Sequence, residues 1–322
     1  MYDVTALGEL LIDFASISVD EGGYPTLSGK PGGAPPNYLA ALAKYSAKTA
    51  MIGKVGADAF GKLLIQTLTD TKIDTSGIII DETVFTTLAF VTIDASGERS
   101  FSFARKPGAD TCLQFNEIDL TKIDNTKIFH FGTLSLTDEP SKEATQKAVA
   151  YAISAGKLIT FDPNLRASLW EDLENAKTQI LWGLKQADIV KISDEEVDFL
   201  WGCDERTGAD KLLHEFDVKL AMVTSGSKGA YIKNKIATAL AVCPPVKPVD
   251  TTGAGDIFGG SAVSRILKYE KAPDELTREE LVEIVTFAVT AATLSTKKMG
   301  GIPSVPSEDE VQKIINHRKA DQ

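Results

Sequence analysis

The chain has 322 residues, 43% apolar and 25% charged, the balance of an ordinary soluble globular protein large enough to bury its core without disulfides or metals. Its formal charge of −11 argues against sequence-independent binding to nucleic-acid backbones, and no apolar run reaches the ~18 residues of a membrane span. Cys112, Cys203 and Cys243 are scattered and odd in number, which points to inert thiols in a reducing compartment rather than a disulfide framework. The opening Met1-Tyr2-Asp3-Val4 lacks the basic region of a signal peptide, so a soluble cytoplasmic protein is expected.

In chain order, short apolar runs at 4–7, 48–52, 128–131, 158–161, 189–192 and 220–224 read as buried strands. Helical patterns at 38–45, 60–69, 141–155 and 173–184 fall between them. This alternation predicts βαβ units, a mostly parallel sheet covered on both faces, and hence a doubly wound α/β sandwich. Two pairs of extended runs break the rhythm: 14–19 with 24–28 around Glu21-Gly22-Gly23, and 84–93 with 99–105 around Asp94-Ala95-Ser96-Gly97-Glu98. No helix follows that could cover either pair, so they predict a small antiparallel sheet standing off the core, a candidate lid or dimer surface. Gly56-Ala57-Asp58-Ala59-Phe60-Gly61-Lys62 imitates a phosphate-binding P-loop, but Leu63 stands where a magnesium-binding hydroxyl belongs. It reads as a turn into a surface helix.

The strongest chemical signal is Asp250-Thr251-Thr252-Gly253-Ala254-Gly255-Asp256, followed by apolar residues at helical spacing. A helix starting near Gly253 presents unbonded N–H groups and the positive end of its dipole, and the glycines let a phosphoryl group approach them. Asp256, in the first turn, is placed to accept a proton from an attacking hydroxyl. Ordinary capping by Thr and Asp is the alternative reading, but so many glycines near one helix start are costly for capping alone. A second turn, Gly32-Gly33-Ala34-Pro35-Pro36-Asn37, opens another helix, with Asn37 able both to donate and to accept. Glu9-Leu10-Leu11-Ile12-Asp13 reads as the close of the first strand, with the Asp13 carboxylate at its carboxyl end, where ligands bind in open α/β sheets. His130, His214 and His317 lie in separate elements without a second ligand at metal-binding spacing.

With these motifs the chain resembles the ribokinase-like, pfkB-type carbohydrate kinases over almost its whole length. The 250–256 run matches the family's C-terminal signature and Gly32-Gly33 with Asn37 its N-terminal one. The resemblance implies a ribokinase-like three-layer α/β/α sandwich with a small β-sheet lid, core 1–13, 32–85 and 107–322 and lid 14–31 and 86–106. It implies direct in-line phosphoryl transfer from ATP to a sugar hydroxyl, with Asp256 as general base and the backbone of Gly253, Ala254 and Gly255 as anion hole. Asp13, Gly32, Gly33 and Asn37 would bind the sugar.

On the nucleotide side, Lys191-Ile192-Ser193-Asp194-Glu195-Glu196 resembles the segment that sets Ser193 and Glu196 near the phosphates and hydrated Mg2+. Thr224, Gly226 and Gly229 match the turn lining the nucleotide. Some relatives hold K+ beside the anion hole, and the matching region here is Asp250, Thr252, Ser295, Gly300 and Ser304. Two departures stand out: Pro36 replaces a small residue, and Val289 replaces an Asn common near the adenine.

Phe161-Asp162-Pro163-Asn164-Leu165-Arg166 and Arg105-Lys106-Pro107-Gly108-Ala109-Asp110 are similar to fructokinases. Arg105 and Arg166 are thereby expected to hold the substrate's far end or the transferring phosphate, and D-fructose is the expected substrate. A 2-keto-3-deoxygluconate kinase is the nearest alternative; a nucleoside kinase and a catalytically silent sugar- or nucleotide-binding protein are weaker ones. The implied partners are a small sugar and ATP, with no nucleic acid or membrane, and a second copy of the chain through the lid.

Overall fold

The computed structural model describes residues 1–93 and 99–320. Strand β1 (Tyr2–Leu7) is followed by β2 (Leu11–Val19), β3 (Pro25–Gly32) and helix α1 (Ala34–Lys44). Next come β4 (Thr49–Gly56), α2 (Ala59–Asp70), β5 (Ile73–Asp81), β6 (Thr87–Ile93) and β7 (Arg99–Ala104). A single turn, α3 (Thr121–Asp124), precedes β8 (Thr126–Gly132), α4 (Ser141–Ser154), β9 (Leu158–Asp162) and α5 (Leu173–Leu184). The run continues with β10 (Ile189–Ser193), α6 (Asp194–Trp201), α7 (Glu205–Glu215), β11 (Leu220–Thr224), β12 (Ala230–Asn234) and β13 (Thr238–Ala241). It closes with α8 (Ala254–Tyr269), α9 (Arg278–Ser295) and α10 (Glu308–Ala320).

The main sheet has the order β13-β12-β11-β10-β9-β8-β1-β4-β5. It is parallel from β5 through β11, and β12 and β13 are antiparallel. Its strands are apolar on both faces because alternate side chains enter two different cores. Ile128, Ile189, Leu220 and Met222 pack with α1, α8 and α9. Phe129, Phe161, Val190 and Val223 pack with α4, α5 and α7. On the α1–α8 side the pattern turns polar toward the carboxyl ends, where His130, Thr160, Asp162 and Lys191 are buried. That polar end is the floor of the site.

The small sheet has the order β3-β2-β6-β7. It departs from the sequence reading in three ways. First, Asp13 is not at the end of the first strand: β1 stops at Leu7, and Asp13 sits on β2, paired with Lys30. Second, the sheet is mixed, since β2 runs parallel to β6. Each of these continues a strand of the parallel main sheet, β1 or β5, so both leave the core in the same direction. Third, a helix does reach it: Phe60 of α2 packs edge-on against Phe14, which stacks on Phe90. The expected 84–93 run becomes a strand only from Thr87. Asp58 accepts the Thr86 N–H at 2.8 Å, and Thr86 Oγ1 accepts from Gly56, so that residue is tied to the core. β6 and β7 pair antiparallel, and the anticipated connection at 94–98 lies outside the described residues.

The P-loop look-alike is a helix start, with Asp58 capping α2 through Phe60 and Gly61. No helix of the described residues is long and apolar enough to cross a membrane.

Candidate active site

Seven parallel strands end on one side of the main sheet, and three of those ends supply side chains: Asp162 closes β9, Ser193 closes β10 and Thr224 closes β11. Helix α8 points its first turn at the same edge, as expected for a ligand site in an open α/β sheet. Its N-cap, Gly253, has φ 74°, a left-handed conformation that brings the chain sharply into the helix. A Cβ there would also lie 2.9 Å from the Asn37 amide nitrogen. No side chain caps α8. The Ala254 N–H is drawn back to the Thr251 carbonyl at 3.2 Å, so the anion-facing backbone reduces to its neighbours, chiefly Gly255.

Asp256 lies one residue further, 7% exposed. Asn37 of α1 donates to its Oδ2 at 2.9 Å, bringing the two glycine-rich turns, 219 residues apart, into direct contact. Burial raises the Asp256 carboxyl above the ordinary Asp range, while Lys191, Asn37 and Arg166 pull it back down and Glu196 adds to the rise. Asn37 Oδ1 is buried and takes no hydrogen bond among the described residues. The Lys191 ammonium lies 3.1 Å and 3.2 Å from the two oxygens of Asp162. Burial opposes its charge, but Asp162, Glu196 and Asp256 outweigh that and raise its pKa. Its nitrogen also lies close to Gly255, 3.0 Å from where a Cβ would stand. A fixed cation therefore borders the start of α8.

Asn37, Lys191, Asp256 and the start of α8 line one cavity of about 460 Å³ together with Asp13, Gly33, Arg166, Ser193, Glu196 and Thr252. Asp13 reaches it from β2 of the small sheet, across Gly32, where any side chain would collide with its carboxylate. Burial pushes the Asp13 carboxyl up to about 7; Arg166 opposes the rise, and Asp256 and Asp250 add to it. Ser193 and Glu196 also form a capping box on α6, with Glu196 Oε2 accepting from Ser193 N at 2.8 Å. The other Glu196 oxygen accepts from Leu165 N at 2.7 Å, which ties α6 to the loop carrying Arg166.

A second, more apolar cavity of about 370 Å³ adjoins the first and shares Thr224, Thr251, Ala254 and Gly255 with it. Gly226, Gly229 and Val289 line it, as do Cys243 and Phe258. The two cavities meet at the start of α8. The arrangement can hold a polyhydroxylated group on one side, a planar apolar group on the other, and a phosphoryl chain between them.

Several predicted residues lie elsewhere. Arg105 does not line either cavity. It is buried, with Nε 2.8 Å from Asp110, Nη1 2.7 Å from Thr137 Oγ1 and Nη2 2.7 Å from the Leu134 carbonyl. The expected substrate-holding fork is thus taken up by the protein itself. Asp250 accepts from Thr252 N and Oγ1 at 3.0 and 2.7 Å and from Gly300 N at 2.8 Å, joining the 250–252 turn to the loop around Gly300. Ser295 and Ser304 turn their hydroxyls to carbonyls of their own turns, at Ala292 and Gly301. Conversely, Glu9, Leu11, Phe103, Leu134 and Asn164 line the first cavity without having been singled out in the sequence.

Comparison with known proteins adds an independent line. Residues 1–308 match the model of the pfkB family of carbohydrate kinases. The chain is 40% identical to Fructokinase-1 of Zea mays over 318 residues, 97% of each chain. A crystal structure of a Xylella fastidiosa fructokinase with bound ATP superposes with a TM-score of 0.90 at 28% identity, covering 99% of this chain and 100% of that one. A Vibrio cholerae O395 fructokinase with fructose, ADP and calcium ion bound gives a TM-score of 0.86 at 31% identity, over 97% and 98%.

Proposed function

Because the chain belongs to the pfkB family of carbohydrate kinases, with the ribokinase-like fold of its relatives, we propose that it is a fructokinase that converts D-fructose and ATP to fructose 6-phosphate and ADP. The observation that carries the reading is the one cavity that Asp13 and Asn37 line together with Asp256 in the first turn of α8, adjoining an apolar cavity suited to a nucleotide base. In this reading Asp13 and Asn37 accept and donate to sugar hydroxyls, and Asp256 takes the proton from the attacking one. The backbone N–H groups of Gly253 and Gly255 and the Lys191 ammonium stabilise charge on the transferring phosphoryl group. The apolar walls that Leu11 and Phe103 give the first cavity favour reading the small sheet as a lid that excludes water.

Thr224, Gly226 and Gly229 would line the nucleotide. Among the described residues no three His, Cys, Asp or Glu side chains converge as a metal cage. The oxygen donors at Ser193 and Glu196 nevertheless fit the water shell of a Mg2+ that neutralises the nucleotide's phosphates. The joined loops at Asp250–Thr252 and Ser295–Ser304 are the proposed K+ region. Exposed Ile17, Val19 and Tyr24 on the small sheet favour a homodimer through that sheet, checked by light scattering at twice the 34.6 kDa chain mass.

An acidic substrate such as 2-keto-3-deoxygluconate needs a spare cation. Here Arg166 lies in the field of both Asp13 and Asp256, Lys191 pairs with Asp162 and Arg105 with Asp110. A neutral sugar fits that balance better. The test is the rate of ADP release with fructose beside 2-keto-3-deoxygluconate, run in potassium and in sodium chloride. Fructose is expected to be preferred, with potassium the faster salt. A clear preference for the acid refutes the substrate, and equal rates in both salts refute the potassium region.

The ionised form of Asp13 is the one that accepts two hydroxyls, and its carboxyl titrates at about 7. The KM for fructose should therefore rise as the pH falls from 8 to 6, while the KM for ATP does not follow. Asp13→Asn should raise the fructose KM about 10- to 100-fold and flatten its pH dependence. A variant with wild-type KM at pH 8 removes Asp13 from the sugar site.

A further inference from the structure

Strand β1 ends at Leu7, and the chain enters the small sheet at Leu11; it returns at Gly32 and starts helix α1 at Ala34. Glu9, 2% exposed, joins these two crossings: its Oε1 accepts the Ala34 N–H at 2.7 Å. Helix α1 needs such a partner. Gly33 before it has no side chain with which to cap, and Pro35 and Pro36 in its first turn carry no N–H. The Asn37 N–H is already bonded to the Gly33 carbonyl at 3.2 Å. The Glu9 carboxyl therefore does the work of an N-cap from 25 residues away, with a negative charge suited to a helix N-terminus. The backbone is equally close-fitting: a Cβ on Gly33 would strike the Glu9 carbonyl, and one on Gly8 would lie 2.6 Å from the Pro35 ring.

Three residues into the helix, Asn37 holds Asp256 at 2.9 Å, and Glu9 and Asn37 both line the first cavity. We propose that Glu9 is a positioning residue of the phosphotransfer site: by bonding Ala34 it sets the start of α1, and so places the Asn37 amide against Asp256 and the sugar. The inference rests on the roles assigned above to Asn37 and Asp256. Burial pushes the Glu9 carboxyl up to about 7 against the Ala34 hydrogen bond, with the nearby Asp110 charge raising it and Arg105 lowering it. Protonated or not, it keeps an oxygen for Ala34, so a glutamine can stand in for it.

The experiment compares Glu9→Gln with Glu9→Met, which matches its length without an acceptor. Glu9→Met should lower kcat/KM for fructose about tenfold or more, the worth of a hydrogen bond to a charged group, and leave the ATP KM within about twofold. Glu9→Gln should recover most of the loss. If Glu9→Met does not show the wild-type far-UV circular dichroism, Glu9→Asp, whose shorter reach misses Ala34, is read in its place. A Met variant with wild-type fructose kcat/KM, equal losses on both substrates, or a Gln variant no better than Met overturns the proposal. Wild-type turnover of fructose in the same assay tests the functional reading separately from the variant-to-wild-type ratio.

Discussion

Asp256→Asn is expected to lower kcat for fructose by roughly 10²–10⁴-fold, the usual contribution of a positioned general base, while the ATP KM stays within a few-fold. Asparagine is nearly isosteric, and its oxygen can still accept from Asn37, which now bonds Asp256 Oδ2. The fold and the sugar pocket should therefore persist, and what disappears is the proton acceptor. Two features make the position suited to a base. It lies in the first turn of α8, where the helix dipole favours a carboxylate, and burial raises its pKa toward the working range.

The sign of the pH effect follows. A raised carboxyl must lose its proton before it can take one from the sugar, so kcat, which is free of the Asp13 effect on the fructose KM, should fall as the pH drops through its pKa. The Asn variant should lack that limb. Steady-state kinetics across pH checks both, and a variant within threefold of wild-type kcat contradicts the assignment.

Lys191→Met should be nearly as damaging, for a different reason. The ammonium is buried between the two oxygens of Asp162 and in the field of Glu196 and Asp256. Removing one partner of a buried pair strands the other charge and costs about 3–5 kcal/mol, or roughly 4–7 °C in melting temperature for a chain of this size. Without the cation Asp256 holds its proton more tightly, and the backbone near Gly255 loses its neighbouring charge. Turnover should fall about 100-fold or more, as when one charge-stabilising group is lost. The double variant Lys191→Met with Asp162→Asn separates the two effects. It should regain most of the melting temperature, because no charge is left unpaired, and little of the activity. Recovery of both in parallel would make the pair purely structural.

Much of this site was legible in the sequence because the chemistry demanded costly residues. Glycines at the start of α8 and in the turn at Gly32-Gly33 are costly for an ordinary helix start, and they led directly to Asp256 and Asn37. The parallel core was equally plain, since strands buried on both faces read as unbroken apolar runs. The same property hid the break between β1 and β2. With Leu7, Leu10, Leu11 and Ile12 all apolar and buried, only Gly8 and Glu9 mark the passage into a second sheet, so Asp13 was assigned to the wrong strand.

Arg105 shows another limit. A guanidinium fork can face a ligand or the protein, and only the fold brings Asp110, Thr137 and the Leu134 carbonyl around it. Two signals of buried charge also stand in the sequence. Lys191 interrupts a buried strand, Ile189-Val190-Lys191-Ile192, and a buried ammonium requires a buried counter-charge. Glu9 interrupts an apolar run in the same way, and it caps α1.

The most direct test of the account is phosphorus NMR of the reaction with fructose and ATP. Fructose 6-phosphate and ADP in equal amounts, lost together in Asp256→Asn, are the predicted products. Inorganic phosphate without sugar phosphate, or a sugar phosphate whose formation survives Asp256→Asn, would contradict it.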